Sequence, residues 1–177
     1  VSQLCDYLWN ENSQPVVSPK PPSNLPLWML GSSPDSAGLA AQQGLPYNLA
    51  AFINPQADPG FVEYYKRGFQ ASALWPKPYA ILTISVFCAD TEEQAIALQL
   101  THDINLFRFF TGQTGGSFMT PQEAQLYPMT PQLAGFIDSR NASRAVGTPE
   151  QVKDKIESLV KRYAVDEVMA VTNMYYL

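Results

Sequence analysis

The stretch Pro78–Ala89 narrows the possible folds of this chain more than any other part of it. Apolar side chains occupy both faces of an extended strand here: Ile81, Leu82, Ile84, Val86 and Phe87. Strands that are apolar on both faces are typical of parallel sheets, whose two faces are covered by helices. The stretch therefore predicts a central strand of a parallel α/β sheet.

Three further strands and four helices are predicted around this strand. The other strands are the short apolar runs Leu27–Leu30, Tyr47–Ile53 and Val168–Val171. The helices follow N-capping residues or prolines at four places: Ser33-Pro34, Asp58-Pro59, Asp90 with Glu93, and Thr148-Pro149 with Gln151. The order is βαβαβα, a long loop at about 111–147, then αβ, and right-handed crossovers make this a parallel α/β sheet.

Length limits the choice among parallel α/β architectures. The chain has 177 residues, whereas a complete (β/α)8 barrel typically needs about 250. Four predicted strands fit either a small open sheet or half of such a barrel, and the pattern alone leaves both open. We divide the chain into 1–26, a helix end with a proline-rich connector, and 27–177, which holds the strands and helices.

Charge and composition exclude several functional classes. The 11 basic and 16 acidic residues give a net charge of −5, and they form no basic cluster, which argues against binding to nucleic acid. The longest apolar runs fall short of the roughly 20 residues that a membrane helix needs. Cys5 and Cys88 lie too far apart in sequence to suggest a disulfide framework or a metal site. We expect a soluble, mildly acidic cytoplasmic protein.

The turn Gly31–Ser36 is the best candidate for a ligand site, because a predicted strand ends there and a helix begins. Glycine lets a ligand approach the backbone, and the amides and dipole at a helix N-terminus favour an anion. Ser32, Ser33 and Ser36 add hydroxyl donors. Spacing alone favours an ordinary capped turn, since no Walker or dinucleotide glycine pattern is present.

Other chemistry-bearing residues favour structural roles. His102 is the single histidine and lies in a predicted helix, without the Gly-x-Ser-x-Gly motif of serine hydrolases. Cys88 lies in an apolar strand and is predicted to be part of the core. The segment Gly112–Gly116 lacks the Lys-Ser/Thr of a phosphate-binding loop, so a flexible lid is predicted there. The residues alone thus indicate an α/β domain with one candidate anion site.

Three segments, in this order, carry a resemblance to a known family: Pro26–Ser33, Ala40–Tyr47 and Val146–Val152. With these segments the chain resembles the C-terminal half of the bacterial luciferase-like family of flavin-dependent monooxygenases. The closing segment Asp166–Asn173 fits the last barrel strand of that family. The likeness extends from about Pro26 to Leu177, and its first two segments are the most specific.

The resemblance implies a fold and a cofactor. The family fold is a (β/α)8 barrel that binds reduced FMN, so the four predicted strands would be roughly its fifth to eighth. The resemblance implies cofactor contacts from two groups of residues: Gly31, Ser32, Ser33 and Ser36 at the phosphate, and Leu30, Asn48 and Ala50 near the flavin ring. The implied phosphate site is the anion site that the residues indicate on physical grounds.

The resemblance also implies an activity and partners. Reduced flavin would activate O2 to oxidise a small organic substrate, with a flavin reductase as a possible source of reduced FMN and a homodimer as the expected assembly. Some relatives use the deazaflavin F420, which also carries a phosphate, so the serine-rich turn does not separate the two cofactors. Ala51-Phe52 stands where relatives tend to carry Ser-His, and no catalytic acid or base is assigned.

A different class of function stays open beside the enzyme. The chain could be a half-barrel that binds flavin passively or pairs with another half as an assembly module. The strand edges at Leu27–Leu30 and Val168–Val171 would then need covering, because exposed strand edges invite pairing. In the enzyme, the segment 111–147 would be a lid or a region that determines substrate specificity.

Overall fold

The computed structural model describes residues 2–10, 12, 14–19, 25–113 and 117–172. Its strands are β1 (Met29–Gly31), β2 (Tyr47–Ala50), β3 (Ala80–Cys88), β4 (Arg144–Gly147) and β5 (Glu167–Val171). Its helices are α1 (Ser2–Trp9), α2 (Pro34–Gln42), α3 (Gly60–Gly68), α4 (Glu92–Phe110), α5 (Pro121–Gln125), α6 (Pro131–Arg140) and α7 (Pro149–Tyr163), and a 3-10 turn covers Asn141–Ser143. None of these helices is long and apolar enough to cross a membrane. Residues 20–24 of the predicted connector, 114–116 of the predicted lid and Asn173 lie outside the described part.

The sheet is parallel throughout, which confirms the predicted α/β class. β3 is its centre. Ile81 of β3 pairs with Asn48 of β2 and with Glu167 of β5, so β2 and β5 lie on opposite sides of β3. Ser85 likewise pairs with Arg144 of β4 on the side away from β5. β4 therefore continues the sheet beyond the end of β2.

β1 and β5 lie at the two sides of the sheet, and β4, beyond the end of β2, also has a single partner, β3, among the described strands. β1 pairs only with β2, and β5 pairs only with β3, within the part of the chain that the structure describes. These are the two edges that the sequence predicts to be unpaired. β1 is shorter and less buried than the predicted strand Leu27–Leu30, because it is an edge strand whose Leu30 is 53% exposed.

One face of the sheet is covered by α2, α3 and α7. Alternate strand residues point to this face and form the main core with the helices, among them Tyr47, Leu49, Leu82, Ile84 and Val86. α2 contributes only small side chains to the core, Ala37, Ala40 and Ala41, which lets it pack close to the strands. α7 buries Val152, Leu159 and Tyr163 against the sheet.

The segment 111–147 is not the long loop that the sequence predicts. It holds α5, α6 and β4, and α4, α5 and α6 share a second apolar cluster of Ile104, Ala124 and Leu133. Each new helix begins with a Thr-Pro pair, and the hydroxyls of Thr120 and Thr130 accept hydrogen bonds from amides of the first turn. These are the same start signals that predict α7, so the sequence carried the information for both helices.

A buried ion pair fixes β4 against α4. Arg144 donates to both carboxylate oxygens of Asp103, at 2.9 and 2.7 Å, and the two side chains are 3% and 0% exposed. Burial alone would raise the pKa of Asp103, but hydrogen bonds from His102, Arg144 and Gln99 and the Arg144 charge together lower it. The sequence does not predict β4, because the strand begins with Arg144, whose charge can be buried only when Asp103 pairs with it.

Two local predictions are also wrong. The N-cap of α4 is Thr91, whose hydroxyl accepts from the Gln94 amide, and not Asp90 with Glu93, because the helix begins one residue later. Cys88 is exposed rather than in the core, since it is the last residue of β3 and the burial of the strand ends before it.

Candidate functional site

The turn between β1 and α2 is built by a reciprocal capping box. Ser33 is the N-cap, and its hydroxyl accepts a hydrogen bond from the Ser36 amide at 3.3 Å. The Ser36 hydroxyl accepts in return from the Ser33 amide at 3.3 Å and donates to the Ser33 carbonyl at 2.7 Å. Pro34 occupies the first helical position, where a missing amide costs nothing. The sequence prediction of this helix start is confirmed.

Gly31 is required where β1 meets α2. A Cβ atom added to Gly31 would lie 2.2 Å from both Cβ and Oγ of Ser36, so a larger residue would force the strand and helix apart. The Tyr47 hydroxyl lies beneath this contact and donates to the Gly31 carbonyl at 3.3 Å. Burial raises the pKa of Tyr47, and a hydrogen bond with Ser36 offsets part of that shift. Tyr47 therefore acts as a neutral donor that holds the turn.

The capping box decides which serine can reach a ligand. The hydroxyls of Ser33 and Ser36 are already used within the turn. The Ser32 hydroxyl has no hydrogen-bond partner among the described residues and is open to solvent. The backbone of Ser32 is held in place, because the Asn54 amide donates to its carbonyl at 3.0 Å. A free hydroxyl thus stands at the N-terminus of α2, where the helix dipole favours an anion.

A cavity of about 420 Å³ lies on the face of the sheet opposite α2, α3 and α7. We call it the sheet pocket, and its wall includes Leu30, Asn48, Phe52, Ile81, Thr83 and Met169. Leu30 directly precedes Gly31, and Phe52 lies two residues before Asn54, so the sheet pocket and the turn adjoin. The walls are mostly apolar, with Asn48 and Thr83 as buried polar groups.

The predicted site residues fall into two adjoining groups. Gly31, Ser32, Ser33 and Ser36 lie together on the turn, and Leu30 and Asn48 lie in the sheet pocket. Ala50 lies on the same face of β2 as Asn48 but has no exposed surface, so its neighbours rather than Ala50 itself are accessible to a ligand. The residues predicted to contact a phosphate therefore lie next to most of the residues predicted to contact the flavin ring.

Four residues of this region are not predicted as site residues from the sequence: Tyr47, Asn54, Thr83 and Met169. Thr83 has a readable signal, because it is a polar residue inside an otherwise apolar strand, on the face that Ile81 also occupies. The roles of Tyr47 and Asn54 depend on contacts with the turn across the fold, which spacing does not reveal.

His102 has a structural environment. It lies in α4, as predicted, with its ring 5.2 Å from the Phe87 ring and its Nδ1 3.4 Å from an oxygen of Asp103. It therefore belongs to the ion pair that anchors β4 rather than to the turn. Among the described residues, no group of three His, Cys, Asp or Glu side chains is placed to hold a metal ion.

Comparison with known sequences relates the chain to one described family. A family profile described as luciferase-like monooxygenase matches residues 7–166. The uncharacterized protein YwcH of Bacillus subtilis (strain 168) is 36% identical over 164 residues, which cover 92% of this chain and 48% of YwcH. The chain thus spans about half the length of the curated relatives that it matches.

Solved structures agree on the fold. The crystal structure of apo-MsnO8 has a TM-score of 0.85 at 29% identity and covers 99% of this chain, which corresponds to 54% of MsnO8. Two more distant structures share the fold alone. One is the oxygenating constituent of 3,6-diketocamphane monooxygenase from Pseudomonas putida in complex with FMN, with a TM-score of 0.50 at 19% identity. The other is an F420-dependent secondary alcohol dehydrogenase, with a TM-score of 0.57 at 16% identity.

Proposed function

The chain belongs to the luciferase-like monooxygenase family, and we propose that it forms the C-terminal half of a flavin-binding barrel that oxidises a small organic substrate with O2. The observation that carries this proposal is the free Ser32 hydroxyl at the N-terminus of α2, next to the sheet pocket. A phosphate and a planar ring joined by a short chain need such a pair of adjoining sites.

FMN is the proposed cofactor. Its phosphate would accept hydrogen bonds from the Ser32 hydroxyl and from amides of the turn, and the dipole of α2 would favour the negative charge. The ring would lie in the sheet pocket against the apolar side chains of Leu30 and Ile81, which would shield it from water once it is bound. When bound, reduced flavin supplies the electrons for the reaction with O2, while the protein positions it. F420 also carries a phosphate and is the alternative.

The remaining partners are part of the same proposal. A flavin reductase would deliver reduced FMN, and the assembly would be a homodimer of complete barrels. The edges β1 and β5 would pair with the strands of the other half-barrel, so that the sheet closes and no edge is left open. In that arrangement the sheet pocket becomes part of the barrel interior.

The same edges favour a second candidate function. β1 and β5 each pair on one side only in the part of the chain that the structure describes, as expected of a module that assembles with another half-barrel. Such a module could hold a flavin without oxidising a substrate. The two candidates differ in activity but share the flavin site, so the binding experiment tests both.

The experiment is an equilibrium titration of the folded chain with FMN and with riboflavin, followed by flavin fluorescence. Riboflavin has the same ring and ribityl chain but no phosphate. We expect FMN to bind more tightly, and we expect Ser32→Ala to weaken FMN by about tenfold while leaving riboflavin unchanged, because it removes one hydrogen bond to a charged group.

The matched control is Ser139→Ala, which removes an exposed serine hydroxyl from α6 that bonds only within its own helix. It should change neither affinity. Equal binding of FMN and riboflavin, or equal losses for both ligands in Ser32→Ala, would contradict a phosphate site at this turn. Absence of all flavin binding in a folded chain would contradict a flavin site formed by the turn and the sheet pocket of this chain.

A further inference from the structure

Asn48 is the one side-chain amide among the residues that line the sheet pocket, and 7% of its surface is exposed. It lies on β2, between Leu30 of β1 and Ile81 of β3, whose backbones pair with it in register. An amide in this position has lost most of its contact with water. Its hydrogen-bonding groups therefore need partners from the protein or from a ligand.

The orientation of the amide is fixed by a neighbouring strand. The Thr83 hydroxyl of β3 donates to Oδ1 of Asn48 at 2.6 Å. Thr83 is itself 2% exposed, so this bond is shielded from water and strong. With its oxygen held by Thr83, the amide presents its NH2 group on the other side.

The NH2 group meets only a weak acceptor. Nδ2 of Asn48 lies 4.0 Å from Sδ of Met169, and the described residues offer it no oxygen or nitrogen acceptor. A thioether sulfur accepts hydrogen bonds poorly, and a buried donor without a good acceptor is destabilising. The reverse placement would set the amide oxygen against the sulfur, with two acceptors facing each other, so the observed orientation is the favourable one.

We infer that Asn48 and Thr83 form a donor subsite for a carbonyl oxygen of the bound ring, with Asn48 as the donor and Thr83 as its positioning residue. This inference rests on the proposed flavin site and adds a specific role within it. The isoalloxazine ring carries carbonyl oxygens along one edge, and its body is planar and apolar. Such a ring suits a pocket whose wall is mostly apolar, with the fixed NH2 donor of Asn48 buried in it and Glu167 as the one charged side chain of the lining.

The probe is lumiflavin, which has the ring but neither ribityl chain nor phosphate. It reports on the sheet pocket independently of the turn. We expect lumiflavin to bind the folded chain, with its carbonyl stretching band shifted to lower frequency by the hydrogen bond from Asn48. Asn48→Leu, which keeps the side-chain size, should weaken binding roughly three- to tenfold, the value of one neutral hydrogen bond, and abolish the shift.

Thr83→Val tests the positioning role. It keeps the shape of the side chain and leaves Asn48 in place, but it releases the amide to rotate. We expect the carbonyl shift to shrink and the affinity to fall. The matched control is Thr101→Val in α4, which removes another buried threonine hydroxyl, one that donates to the Ala97 carbonyl within its own helix. It should leave both the band and the affinity unchanged.

The outcomes separate this inference from the proposed function. Suppose that Ser32→Ala weakens FMN binding but not riboflavin binding, while Asn48→Leu leaves lumiflavin affinity and the carbonyl band unchanged. The donor subsite is then overturned and the flavin site stands. If lumiflavin depends on Asn48 while FMN and riboflavin bind equally, the subsite stands and the phosphate site falls. Failure of lumiflavin to bind the folded chain overturns the subsite.

Discussion

Two strand-to-helix units of this molecule begin in nearly the same way. In the unit β1–α2, Gly31 ends the strand and Ser33 caps the helix, with proline at the first helical position and a capping box to the third. In the unit β4–α7, Gly147 ends the strand and Thr148 caps the helix, again with proline and a capping box. The sequence predicts both starts, because the capping signals are local.

The units differ in what surrounds the turn. The first has one extra residue, Ser32, between the glycine and the N-cap, and this residue carries the free hydroxyl. In the second, the N-cap follows the glycine directly. Gly147 has a backbone φ of 139°, which residues other than glycine rarely adopt. Capping chemistry therefore specifies where a helix starts, whereas an inserted, unpartnered residue makes one of the two turns a candidate ligand site.

The strands of the two units are also anchored differently. β4 is fixed by the buried ion pair between Arg144 and Asp103. β1 is an edge strand that pairs only with β2 and leaves Leu30 half exposed. The unit that carries the candidate site is thus the less firmly anchored one, and a strand that covers the edge of β1 would stabilise it most.

The largest predicted effect comes from breaking the anchor of β4. Arg144→Met removes the charge that compensates buried Asp103, and loss of one partner of a buried pair costs about 3–5 kcal/mol. We expect the free energy of unfolding to fall by that amount in urea titrations followed by circular dichroism. A loss below about 1 kcal/mol would show that the pair does not hold the second unit.

The double variant Asp103→Leu/Arg144→Met is the control, because it removes both charges together and should lie close to the original chain in stability. It also tests the pH dependence. The folded pKa of Asp103 is lowered, so the pair stabilises the chain above the unfolded pKa and the stability is lost as pH falls below about 4. The original chain should lose stability as the pH falls through this range, and the double variant should lack the part of that loss that comes from Asp103.

A smaller effect is expected where β1 meets α2. Gly31→Ala places a methyl group against Ser36, and overpacking of this kind costs about 1–3 kcal/mol. Gly135→Ala in α6 is the matched control, since a Cβ there meets nothing within 4 Å and alanine favours the helix. Thermal unfolding should show Gly31→Ala destabilised and Gly135→Ala unchanged or stabilised. Equal stability of both would contradict the close contact at the turn.

The sequence supplied the local parts of this fold and not the parts made by distant contacts. The caps of α2 and α7, the central strand and the serine-rich turn are all readable from neighbouring residues. The strand β4 is not, because it begins with Arg144, whose charge can be buried only when Asp103 of α4 neutralises it. For the same reason the donor orientation of Asn48 was missed, since it depends on Thr83 of the next strand.

The smallest predicted effect separates capping from ligand binding most directly. Ser33→Ala and Thr148→Ala each remove an N-cap hydroxyl, and each should lower the free energy of unfolding by about 1 kcal/mol. The two losses should be equal within error, because the caps are built alike. Only Ser33→Ala should also weaken FMN relative to riboflavin, since loss of its cap loosens the turn that carries Ser32. If Thr148→Ala weakened FMN to the same extent, global stability rather than the turn would control the binding.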